Sequence, residues 1–413
     1  MKRRVAITGL GLVSSQGQDP LAAFDAWMKG ESAVAWQEVG EAPHTARIPA
    51  AYCDADLVSV LGKSRVATMD RFSQLAAVAA GSAWQDAGLQ DMTPEQREHV
   101  AVLWGTGGGG VQTTERSYRD LYVRGRPRIS PLSVVLGMNN AAASHIALQF
   151  GAGGACVTYS VACASSAIAI GEAMRRIQYG DCEVALAGGA ESAMPYGAVK
   201  AWESLQVLAL PGEQSVAASC RPFHAERKGL VLGEGAAALL LEDWDRAKQR
   251  GARIYAELVG YASTCDHSHM TMPNSEGQYR ALRQALADAQ ATPESVTYVN
   301  AHGTATREGD PSEIDALKQL LGEHAQHTLI SATKSMHGHL LGAAGAIEAL
   351  ITALAVHRDA VPPTAHLDQI DSACAGMDHV AAQGREGVGM RLALSNSFAF
   401  GGSNAVLVMR PVE

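Results

Sequence analysis

Strand-like apolar runs alternate with helical stretches along the whole chain, and that alternation limits the folds open to it. "RRVAITGLGLV", "HVAVLWGTGGGG", "CVTYSVAC", "CEVALAGGAES" and "GAAALLLED" come first. "ARIYAELVGYAS", "VTYVNAHGT", "HTLISATKS", "VGMRLALSNSFAFGG" and "SNAVLVMRP" follow. Ser64–Ala87, Ala281–Ala289 and "GAAGAIEALITALAVHRD" read as helices between them. Apolar strands alternating with helices predict an α/β fold with buried sheets. The 42 glycines among 413 residues exceed a typical share of about 7 %. Many tight turns and close backbone approaches follow from that. Each half has a strand leading into a polar turn, then a small-residue helix, then a glycine-rich strand end. "ALAGGAES" and "ALSNSFAFGGSN" sit at comparable points, which hints at duplication.

A formal net charge of −9 argues against non-specific nucleic-acid binding, which needs a basic footprint. The seven cysteines are scattered, with no CxxC pair. That pattern predicts reduced thiols and a cytoplasmic protein. The start, "MKRRVAITGLGLVSSQG", reads as a strand and a glycine turn rather than a signal peptide. No run is expected to reach the roughly eighteen apolar residues of a membrane span.

One cysteine has a distinctive setting. In "VTYSVACASSAIAIG", a β-branched run meets Cys163, and Ala167, Ile170, Met174 and Ile177 then recur at helical spacing. Cys163 is therefore expected in a strand-to-helix turn near a helix N-terminus. Unpaired N–H groups there favour a thiolate and can bind an oxyanion. The alternative is a buried small hydrophobe, the commonest fate of a free cysteine.

Two histidine-bearing turns follow. "YVNAHGTATREGD" holds His302, and "SATKSMHGHLLGAAGAIEA" holds Lys334, His337 and His339. A thiol with one histidine suggests acyl transfer or hydrolysis. Two histidines could hold one thioester oxygen and stabilise an enolate, which suits carbon–carbon bond formation. Zinc is a weaker use of these residues, because no CxxC accompanies HxH. In an extended turn His337 and His339 share one side, so spacing does not choose between them.

"VACASSA", "NAHGTATREGD", "KSMHGHLLGAAGA" and "NSFAFGGSNA", in that order, closely resemble the elongating β-ketoacyl-[acyl-carrier-protein] synthases. The resemblance runs from "RRVAITGLG" to "SNAVLV". It implies a thiolase-like α/β fold, two similar halves forming a five-layered αβαβα core. The halves are expected at 1–250, carrying the nucleophile, and 251–413, carrying the histidines. The resemblance makes Cys163 the nucleophile, His302 and His339 the catalytic histidines, and Lys334 their neighbouring lysine. It makes Glu313 the acidic residue ordering the cluster and Phe400 a gate whose N–H joins that of Cys163 in an oxyanion hole. Phe398 supports the site, and Thr271, Thr304 and Thr306 line a pantetheine channel. No permanently bound cofactor or metal is implied. Acyl and malonyl thioesters arrive on the phosphopantetheine of acyl carrier protein. A homodimer is expected, or a heterodimer with a ketosynthase-like partner. A chain-length-setting, non-catalytic subunit is the alternative; such partners typically lack the cysteine.

The sequence departs from the family pattern in three places. Thr106 and Gly109 stand where relatives carry bulkier aliphatics, so a roomier acyl pocket is expected. Lys63, Arg65 and Arg71 remain of a basic carrier-docking cluster, with Arg124, Arg126 and Arg128 as further candidates. His337 replaces a small polar residue and is expected to be a turn residue.

Overall fold

A computed structural model describes residues 2–209 and 215–412. Strands β1 (Val5–Val13), β2 (Ala101–Gly105), β3 (Cys156–Tyr159), β4 (Val184–Glu191) and β5 (Gly235–Asp243) form the first half-sheet. Strands β6 (Ala256–Cys265), β7 (Tyr298–Asn300), β8 (Leu329–Ser331), β9 (Asp378–His379), β10 (Ala393–Ala399) and β11 (Ser403–Arg410) form the second. The order across all eleven is β9-β8-β7-β10-β11-β6-β1-β5-β4-β2-β3.

Outward from the centre, β1-β5-β4-β2-β3 in one half repeats as β6-β11-β10-β7-β8 in the other. The sense of pairing repeats as well. β1–β5 and β5–β4 are antiparallel, as are β6–β11 and β11–β10. The remaining pairs, toward the outer edge of each half, are parallel. "ALAGGAES" and "ALSNSFAFGGSN" fall on the equivalent strands β4 and β10. The halves join edge to edge, where β1 pairs β6 at Ala6↔Glu257 and Ile7↔Ala256.

The longer helices are α1 (Arg71–Asp86), α2 (Val111–Tyr122), α3 (Ala141–Phe150), α4 (Ser165–Tyr179), α5 (Ser275–Asp288), α6 (Gly309–Leu321) and α7 (Ala344–Arg358), with shorter helices between them. All but α2 pack in the layers around the sheets. Helices α1 and α3 cover the outer face of the first half-sheet. Helices α5 and α6 cover that of the second. Between the sheets, α4 and α7 share one core with β1, β5, β6 and β11. Five layers, αβαβα, result. The central helices cross closely because their facing residues are small. A Cβ on Gly345 would lie 2.6 Å from Ala167 N.

Two local expectations change. The stretch Ser64–Ala87 is broken before Asp70, whose carboxylate accepts the Phe72 N–H and caps α1. Leu341–Arg358 is long and apolar enough for a membrane span, with 18 residues at mean hydropathy 1.3. It is 89 % buried, as the central helix α7 and its leading turn, so its apolar character serves the core.

Candidate active site

The two central helices begin at equivalent points, and each is preceded by a candidate site residue. After β3, Ala162 takes the left-handed conformation (φ +45°), a strained state for a residue with a Cβ. Ser165 holds that turn, accepting the Val161 N–H (2.8 Å) and donating to Ala162 O (2.6 Å). Cys163 follows at the mouth of α4. After β8, a helical turn Lys334–His337 and Gly338 (φ +69°) lead to His339. His339 N–H donates to Val231 O at 2.7 Å.

The fold brings Cys163 Sγ to 3.1 Å from His339 Nε2. The rings of His302 and His339 meet edge to face at 5.4 Å. His339 Nδ1 accepts the Leu341 N–H (3.2 Å). His302 Nδ1 faces the Lys334 ammonium at 3.3 Å. Each Nδ1 lone pair is thus occupied, which places the proton of the neutral ring on Nε2. Both rings stay neutral, because burial and then the Lys334 charge hold their pKa well below 6.5. The result is two N–H donors beside one thiol.

Burial sets the thiol as well. Cys163 is 7 % exposed, and desolvation pushes its pKa up to about 12 against the pull of Lys334. The helix N-terminus was expected to favour thiolate. Loss of water around the sulfur outweighs it.

Ligand atoms of Cys163, His302 and His339 lie within 4.8 Å of one another, so the zinc alternative has a geometric basis. A metal-bound imidazole needs a bare nitrogen toward the ion and an N–H on the other. Here the polarity is reversed, and the cluster does not fit a metal.

A cavity of about 490 Å³ runs out from these residues. Thr271, Thr304, Thr306, Phe398 and Phe400 line it. Thr304 and Thr306 hydroxyls lie 3.0 Å apart, and Thr306 Oγ1 accepts the Gly309 N–H. Phe398 meets the His302 ring edge-on, and Phe400 stacks on Trp202.

Two family profiles match this chain: the Beta-ketoacyl synthase, N-terminal domain over residues 2–247, and the Beta-ketoacyl synthase, C-terminal domain over residues 255–368. The chain belongs to the β-ketoacyl synthase family. It is 37 % identical to the 3-oxoacyl-[acyl-carrier-protein] synthase 2 of Staphylococcus aureus (strain COL), covering 100 % of this chain and 99 % of that one. It is 38 % identical to the enzyme of the same name from Synechocystis sp., with the same coverage. A β-ketoacyl synthase crystal structure from Burkholderia phymatum superposes with TM-score 0.91 at 35 % identity, covering 100 % of both chains. A type II PKS ketosynthase, solved with its acyl-carrier protein and bound to the hexaketide, does so with TM-score 0.89 at 32 %, again over 100 % of both.

In this ketosynthase Glu313 sits behind the His302 turn. Its carboxylate accepts the His302 and Gly303 N–H groups (2.9 Å each) and the Asn396 amide (2.9 Å). It orders the His302 turn, while the carboxylate paired with Lys334 is Glu348, which sequence reading missed. Lys334 also donates to His302 O at 2.6 Å. The signal was there: Glu348 is the one acid in an apolar, small-residue helix.

Thr106 and Gly109 do not line the cavity at Cys163. Thr106 is fully buried, donating to Glu191 (3.3 Å) and accepting the Gly109 N–H (3.0 Å). A Cβ on Gly109 would meet Asn139 Oδ1 at 2.3 Å, so its small size serves a packed turn, not an open pocket. Arg71 turns inward onto Glu234 and Cys53 O, and Arg65 bonds Gln149. Arg124 and Arg126 pair with Asp120.

The backbone is helical through His337, so His337 and His339 point apart. The His337 ring is buried against Trp27 and bonds Gly338 O (2.8 Å) and Thr333 Oγ1 (3.0 Å). His337→Thr is expected to cost about 2–4 kcal/mol of stability, with turnover of the folded protein nearly unchanged. Burial holds the ring's pKa down to about 3 from 6.5. On acidification the unfolded chain takes up a proton that the native ring refuses, and only the wild type loses stability that way. Its melting-temperature lead over the variant should be largest above pH 6.5 and shrink as pH falls toward 3. A lead independent of pH would refute the assignment.

Proposed function

We propose that this chain is a 3-oxoacyl-[acyl-carrier-protein] synthase working by decarboxylative Claisen condensation. The observation that carries the reading is the gathering of Cys163, His302 and His339, their ligand atoms within 4.8 Å of one another, on the lining of one cavity. Cys163 Sγ attacks an acyl thioester delivered on phosphopantetheine. The N–H groups of Cys163 and Phe400 hold the tetrahedral oxyanion. On collapse the carrier thiolate leaves with the cysteine's proton, and Cys163 is S-acylated. Malonyl-carrier then enters, and His302 and His339 Nε2–H donate to its thioester oxygen. The bond to the carboxylate breaks, CO2 departs, and its electron pair forms an enolate held by the two donors. That carbon attacks the acyl carbonyl, and the cysteine sulfur leaves as thiolate and takes a proton from solvent water. The product is a 3-oxoacyl-carrier two carbons longer.

Neutral histidines suit this chemistry, since a donor to an enolate must keep its proton. Thr271, Thr304 and Thr306 offer hydroxyls along the arm's amides. Lys228 and Arg307 stand exposed on the cavity rim, with no ion-pair partner among the described residues, and favour an acidic carrier. The reaction needs no permanently bound cofactor. The seven unpaired thiols fit the cytoplasm.

Residues 1–250 and 251–413 act as the two halves of one catalytic unit. Strand β3 ends the sheet, with exposed Leu148 on the adjoining helix α3, while Tyr118, Tyr122 and Val134 are exposed elsewhere on the same half. An open edge, with apolar side chains exposed on the same half, fits pairing with a second copy or a ketosynthase-like partner.

The test is intact mass after mixing with acyl-carrier proteins of graded length, with Cys163→Ala alongside. An acyl adduct on the wild type alone is expected. No adduct with any chain would favour the second reading, a chain-length-setting subunit.

A further inference from the structure

Among the buried carboxylates this mechanism leaves unused, one touches the turns of both halves. Glu191 ends β4 and is fully buried, and among the described residues it has no ion-pair partner. Its Oε2 accepts the N–H groups of Gly107 (2.6 Å) and Gly342 (3.0 Å). Its Oε1 accepts the Gly108 N–H (3.1 Å) and the Thr106 hydroxyl (3.3 Å). Three donors come from the turn after β2 in one half, and the fourth from the turn leading into α7 in the other.

Both turns reach the chemistry within a few atoms. Gly107 O accepts the Ser160 hydroxyl (3.4 Å), and Ser160 begins the turn that bends to Cys163. On the other side, the amide next to Gly342 is that of Leu341, the donor to His339 Nδ1. The approach is close enough to demand glycine. A Cβ on Gly342 would lie 2.0 Å from Gly107 N and 2.7 Å from Glu191 Oε2.

The second half contains the same device. Glu313 accepts two successive N–H groups of the turn after β7, the counterpart of β2, and thereby fixes His302. Glu191 treats Gly107 and Gly108 in the same way, then reaches across to the His339 turn. Burial pushes its carboxyl up to about 7 against the pull of its four donors, so the charge is costly where it sits.

We infer that Glu191 is a positioning residue, whose carboxylate holds the nucleophile turn and the His339 turn in register for condensation. This rests on the ketosynthase reading above and adds a residue to it. Decarboxylation needs two Nε2–H donors aimed at one oxygen, a stricter demand than presenting a thiol for acylation. A slip of the His339 turn should therefore penalise the second stage more than the first.

The experiment follows both stages in wild type and Glu191→Gln. Cys163 acylation is read by intact mass, and decarboxylation by CO2 release from malonyl-carrier. Glu191→Gln keeps the shape but turns one acceptor into a donor facing N–H groups. Decarboxylation is expected to fall about 10- to 100-fold, in line with ångström-scale misplacement, with acylation within about 3-fold of wild type. Thr106→Val, a milder loss of one donor, should shift the same stage in the same direction and decides the matter if Glu191→Gln does not fold. Equal losses in both stages, or none in either, would overturn the inference and leave only a structural role. A wild type that neither acylates nor decarboxylates would instead sink the ketosynthase reading itself.

Discussion

Lys334→Met is expected to slow decarboxylation about 10²- to 10³-fold and to lower the melting temperature sharply. Lys334 and Glu348 are both fully buried and form an ion pair between the helical turn after β8 and the central helix α7. Removing one partner of a buried pair costs about 3–5 kcal/mol, because the other charge is left uncompensated. The loss in rate has a separate cause. Without the ammonium at its Nδ1, the His302 proton is free to move off Nε2, and one enolate donor is gone. Loss of one such donor typically costs about 10²- to 10³-fold.

The stability loss should depend on pH. Burial already holds the Glu348 carboxyl up to about 7 from its ordinary 4.5, with Lys334 the strongest opposing influence. Without the lysine it rises further. A carboxyl raised in the native state leaves stability intact below its unfolded pKa and withdraws it as pH climbs. The melting temperature of Lys334→Met should therefore fall more steeply than that of wild type from about pH 4.5 upward. The double variant Lys334→Met with Glu348→Leu should recover much of the stability and none of the activity. Recovery of both would show the pair to be scaffolding alone.

Cys163 and the two histidine-bearing turns stood out because each follows a strand and leads into a helix, whereas the choice of His339 over His337 came from the resemblance, since spacing left it open. The duplication was legible for the same reason, since "ALAGGAES" and "ALSNSFAFGGSN" occupy equivalent strands. What escaped depends on partners far away in the chain. The burial that raises the Cys163 pKa was not legible, because a helix N-terminus can be inferred from neighbours, whereas the cluster that buries the sulfur draws on Val39, Ile48, Met194 and Leu232, far away in the chain. Glu191 stood in plain view in "GGAES", but its four donors lie at 106–108 and 342. At Gly109 a missing side chain was read as empty space, while Asn139 already fills the place its Cβ would take. The central helix departs in the opposite direction: no run was expected to reach the length of a membrane span, yet Leu341–Arg358 does, because it lies between two sheets.

His302→Ala and His339→Ala should separate the two chemical stages, because the histidines are held differently. Only His339 touches the thiol, with Nε2 at 3.1 Å from Sγ. His302 stands away from the sulfur, fixed by Lys334 and Glu313. Either change removes one of two donors to the developing enolate, so decarboxylation should fall about 10²- to 10³-fold in both. Acylation should distinguish them. His302→Ala is expected to load Cys163 at close to the wild-type rate, and its acyl-enzyme should then accumulate in the intact mass. His339→Ala removes the side chain hydrogen-bonded to the thiol and should slow loading as well. Its acyl-enzyme then forms slowly and persists. If His302→Ala blocked loading while His339→Ala spared it, the roles would be exchanged, and the 3.1 Å contact would describe a resting arrangement rather than a working one.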